Sequence, residues 1–139
     1  MKKDRMIAMV VVMGMIFAGT TAYAQNKKTE SRLENGKKNY TMAMRSGHEG
    51  LSESALMQAA KIAMKYPNTP VGEMKNVIDS LAVNGRTASI RYKAYLAANV
   101  CDNPAWFAKN IRYNEDDVDG FFVSVASQLH EIVLGSRTN

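Results

Sequence analysis

Oxygen-bearing side chains gather at Glu115-x-Asp117-x-Asp119-Gly120, the spacing with which a calcium-binding loop begins. Such a loop needs oxygen ligands at alternate positions, a glycine at the sixth and a bidentate glutamate at the twelfth. The twelfth position is Ala126, and Phe121-Phe122 interrupts the run. The same acids suit the first turn of a helix, where carboxylates favour the positive end of its dipole. His130-Glu131 starts like the zinc-protease motif His-Glu-x-x-His, but Leu134 stands where the second histidine should be. The other histidine, His48, has Glu49 beside it and no third ligand nearby, and a zinc site asks for at least three protein ligands and a water. Neither a metal nor any other cofactor is expected.

Cys101 is the sole cysteine, so no disulfide can form within the chain. A nucleophilic thiol needs its pKa lowered by a neighbouring histidine or a helix N-terminus. The sequence places neither next to Cys101, whose position in an alanine-rich stretch suits a small buried side chain. There is no Gly-x-Ser-x-Gly elbow, and Asn84-Gly85-Arg86-Thr87 holds one glycine rather than a phosphate-cradling loop. Catalysis is therefore not expected. The alternative is a small envelope enzyme or regulator whose site is assembled in space around Cys101 or His130. Arg86, Arg91 and Lys93, interleaved with Tyr92 and Tyr95, form a candidate partner-binding face, since basic and aromatic groups together grip anions and protein surfaces. Trp106 and Phe107 make a second candidate, an apolar edge at the end of the helical region.

These residues follow a leader. Lys2, Lys3 and Arg5 precede an apolar run from Met6 to Ala18, and Ala22-Tyr23-Ala24 is a small-residue cleavage site. Residues 1–24 are read as a signal peptide rather than an anchor, because the uninterrupted apolar run falls short of the roughly 20 residues a spanning helix needs. The expected localisation is periplasmic or secreted, with cleavage near Ala24. No cysteine follows the site, which disfavours a lipoprotein. Without residues 1–24 the formal charge falls from +5 to +3, fifteen basic residues against twelve acidic. Much of the basicity thus belongs to the leader, and a nucleic-acid partner is not expected. The remainder is long enough for one small domain.

Positioning falls to helices. Gln25–Glu34 is polar and charged, the composition of a flexible lead-in, and a helix is expected to open near Gly36. Ala55, Leu56, Ala59, Ala60, Ile62, Ala63 and Met64 recur at helical intervals after Ser52, the expected N-cap, and stop at Pro67. Thr69-Pro70 is expected to open the next helix, with Val71, Met74, Val77, Ile78, Leu81 and Ala82 inward and Asn84-Gly85 at its end. Thr87 opens a third, with Ile90, Ala94, Leu96, Ala97 and Val100 inward, and Asn103-Pro104 closes it. Asp116–Leu134 reads as a last helix with Phe121, Phe122, Val125, Leu129, Ile132 and Val133 on one face. Residues 136–139 should fray.

Shifting the sequence by 34 places lays Ala60 on Ala94, Ala63 on Ala97, Pro70 on Pro104 and Leu56 on Ile90. Paired short helices, a proline opening the first and alanines lining the second, resemble HEAT or armadillo repeats over about Asn35 to Asp102. The Asp-Val-Arg run common before the second helix of that family is missing. The resemblance implies a short α-solenoid fragment and a binding role. The whole is expected to be all-α: two HEAT-like helical hairpins and a C-terminal capping helix within residues 35–135. The expected function is a non-catalytic protein-binding or scaffold module in the envelope of a Gram-negative-like cell. Two hairpins are few for a stack, so self-association is also open.

Overall fold

A computed structural model describes residues 24–135, and among them every regular element is helical, as the apolar spacing requires. Residues 24–44 form α1, followed by α2 (Glu49–Lys65), α3 (Gly72–Asn84), α4 (Ala88–Asp102), α5 (Pro104–Asn110) and α6 (Val118–Gly135). The leader, Ala24 excepted, and the tail 136–139 lie outside the described residues. No helix among the described residues is long and apolar enough to cross a membrane.

The chain divides into two compact units, the first ending at Gly36 and the second beginning at Lys37. In the first, residues 24–36 are helical and largely exposed. The expected helix start near Gly36 is therefore corrected: residues 25–34 are already helical. Their polarity gives them little to bury, but it does not oppose the helix. The stretch holds no proline or glycine, and Lys, Glu, Gln, Arg and Leu are all good helix formers. The Thr29 hydroxyl donates to the Gln25 carbonyl at 3.0 Å, one turn back.

The second unit is built around α4, which packs against α2, α3, α5 and α6. Its Ala94 and Ala97 are fully enclosed, as are Ala59 and Ala60 of α2. Small side chains let helix axes approach, and the same core takes Leu56, Ile78, Val100, Phe107, Phe121 and Val125. Met44, near the end of α1, belongs to that core as well. An edge-to-face series links Tyr113, Phe121 and Phe122, with centroids 4.9 and 5.1 Å apart, and seats the first turns of α6.

The helix boundaries show which local signals prevail. Thr87 caps α4 as expected, its Oγ1 accepting from the Ile90 N–H at 3.2 Å. Pro104 opens α5 at its first turn. Ser52 does not cap α2: the helix begins at Glu49, and Ser52 is buried one turn inside it. Its hydroxyl donates to the Met44 carbonyl at 3.1 Å, so a tertiary partner claims the side chain that a cap would have used. Thr69-Pro70 likewise does not open α3, which begins at Gly72 after Val71. Thr69 closes a turn by donating its N–H to the Tyr66 carbonyl. Asp117, expected within the first turn of the last helix, instead caps α6 by accepting from the Gly120 N–H at 2.8 Å.

Candidate functional site

Of the basic face expected at Arg86, Arg91 and Lys93, the two arginines stay exposed and each bonds a backbone carbonyl, while Lys93 is paired with carboxylates. Arg86 reaches back to the Gly47 carbonyl at 2.8 Å, holding the α1–α2 turn, whose Gly47 has a φ of +78° that favours glycine. Arg91 donates to the Gly85 carbonyl at 2.8 Å. Lys93 is the clearest correction, with a side chain only 12% exposed between two carboxylates. Its Nζ lies 2.8 Å from Glu53 of α2 and 2.6 Å from Asp119 of α6. Burial alone would lower the Lys93 pKa, but its hydrogen bonds to Asp119 and Glu53 outweigh it and leave the ammonium above its ordinary value. Ser89 adds a hydroxyl donor to Glu53. The three residues serve three separate joints of the fold, and only Lys93 leaves the surface.

The aromatic edge divides in the same way. Phe107 is wholly buried, because α5 turns it into the core beneath α2 and α4. Trp106 stays 36% exposed and meets the Phe107 ring edge-on at 5.0 Å. Phe107 cannot be part of an exposed edge, and Trp106 alone remains at the surface.

Each acid of the calcium-like run has its own protein partner. Glu115 pairs with Lys61, which also lies 5.6 Å over the Tyr113 ring, and together they tie the segment before α6 to α2. Asp117 caps α6 and Asp119 pairs with Lys93. The side chains diverge to three partners instead of converging on a common point. No group of three metal-ligating residues comes together among the described residues.

Cys101 is partly buried on α4, beside Lys75, Asp79 and Asp102. Burial pushes its thiol up to about 12; the Lys75 charge opposes this, and the two aspartates add to it. A thiol so raised is protonated at neutral pH and is a poor nucleophile. Lys75 is itself held, bonding Asp79 one turn on and Asp102 of α4. Burial alone would lower the Lys75 pKa, but its bonds to these two aspartates raise it overall. His48 and His130 are both exposed, His48 directly before α2 and His130 on α6.

Of the expected basic and aromatic face, the two tyrosines form an outward surface without Lys93. Tyr92 and Tyr95 lie one turn apart on α4 and are 56% and 51% exposed. They occupy the one strip of this enclosed helix that no neighbour covers, with Arg91 alongside and Asn99 a turn beyond, its amide bonded to the Tyr95 carbonyl at 2.8 Å. The signal was present in the i, i+3 spacing of the two tyrosines, which excludes both from the inward stripe of Ile90, Ala94, Ala97 and Val100. Compared with known proteins, the chain matches no family model, no curated protein and no solved structure.

Proposed function

We propose that this chain is an exported, non-catalytic helical module that binds another protein through the Tyr92–Tyr95 strip of α4. The observation that carries the reading is this half-exposed aromatic pair on α4, the helix that packs against α2, α3, α5 and α6. Tyrosines presented by a rigid element contribute contact area at low entropic cost and are enriched at interface centres. The reading is further supported by the use of the ionisable groups: Lys61, Lys75, Lys93, Glu53 and Asp119 are spent on joints between elements. The HEAT-like description belongs to the same proposal and rests on the sequence resemblance alone. Export rests on the leader sequence alone, and amino-terminal sequencing of the mature protein should begin at Gln25.

Photo-crosslinking residues at positions 92 and 95, introduced one at a time in intact cells, test the assignment. Both should trap the same second protein, whereas the probe at exposed Ser127 of α6 should not. The double variant Tyr92→Ala/Tyr95→Ala should keep the native helical circular dichroism and melting temperature while losing that partner in purified form. Retained binding by a folded double variant would overturn the assignment of the surface. Rapid alkylation of native Cys101 with loss of a measured activity would favour the enzyme reading instead.

A further inference from the structure

We draw no further inference here: the strongest candidate, the exposed apolar side chains of Ile132 and Leu134 near the C-terminal end of α6, carries nothing because nothing among the described residues shows what covers them.

Discussion

Cys101 illustrates how a single side chain's chemistry is decided by burial. An exposed cysteine thiol titrates near pH 8.5, so an appreciable thiolate fraction is present under mildly alkaline conditions. With the folded value pushed up to about 12, the native thiol stays protonated through that range. Iodoacetamide should therefore label native Cys101 slowly from pH 7 to 9 and label it fast once urea unfolds the chain. Equal rates in the two states would contradict the burial argument. The sign of the stability effect follows. The folded pKa lies above the unfolded one, so the contribution is intact below about pH 8.5 and is lost as pH rises toward 12. Cys101→Ala should flatten that part of the alkaline stability profile. At Lys93, truncation to Ala strands the Glu53 carboxylate, 16% exposed, without its cation. The expected loss is about 1.5–3 kcal/mol in urea unfolding, the range for hydrogen bonds to charged groups. The exposed Arg45–Glu73 pair should give no more than about 1 kcal/mol when Arg45 is truncated. The helical period separates Lys93 from Arg91: Lys93 stands three residues after Ile90 and four before Ala97, on the inward side, and Arg91 does not. What the period cannot name is the pair of carboxylates on α2 and α6 that meets it.

At the scale of the helices, the apolar spacing was legible and the helix starts were less so. The inward faces of α2, α3 and α4 are those the periodicity predicts, because each helix needs a stripe to bury and the stripe recurs every three or four residues. Capping signals compete with tertiary partners, however, and a serine or threonine looks the same in sequence whether it caps, as Thr87 does, or bonds across helices, as Ser52 does. Thr87→Ala should accordingly cost about 1 kcal/mol, while Thr69→Ala, at a residue that caps nothing, should cost much less. The glycines separate equally well. A β-carbon at Gly85 would lie 2.6 Å from the Leu81 carbonyl oxygen and 2.9 Å from the Ile90 side chain, so alanine there must push α3 from α4. Gly85 has an ordinary φ of −55°, which means space rather than backbone freedom demands the glycine. Gly85→Ala should destabilise by about 1–3 kcal/mol, the usual range for overpacking. Gly50→Ala, where nothing lies within 4 Å, should stabilise by up to about 1 kcal/mol. Denaturant midpoints of the two variants should move in opposite directions, and a shift in the same direction would refute the packing argument.

Across the whole molecule, enclosure rather than helix content sets where stability resides. Residues 24–36 and α4 are both helical, yet the first are largely exposed and the second is covered by four other helices. A helix held mainly by its own hydrogen bonds opens readily, because short helices are marginal in water. One that carries core side chains opens only when those contacts break. Among the described helices, hydrogen exchange should therefore be fastest in residues 24–36 and slowest in α4 around Ala94–Val100. Phe107 extends the same logic to α5, a helix of only seven residues that is held by one wholly buried ring. Phe107→Ala should cost about 3–5 kcal/mol, a large share of the roughly 5–15 kcal/mol that holds a domain together. Trp106→Ala, with part of its ring already in water, should cost less. If Phe107→Ala raises exchange in α5 alone and leaves α4 protected, then α5 is a local appendage. If protection falls together in α2, α4, α5 and α6, the ring is a keystone of the core these helices share. The packing of α5 against all three of those neighbours requires the second outcome.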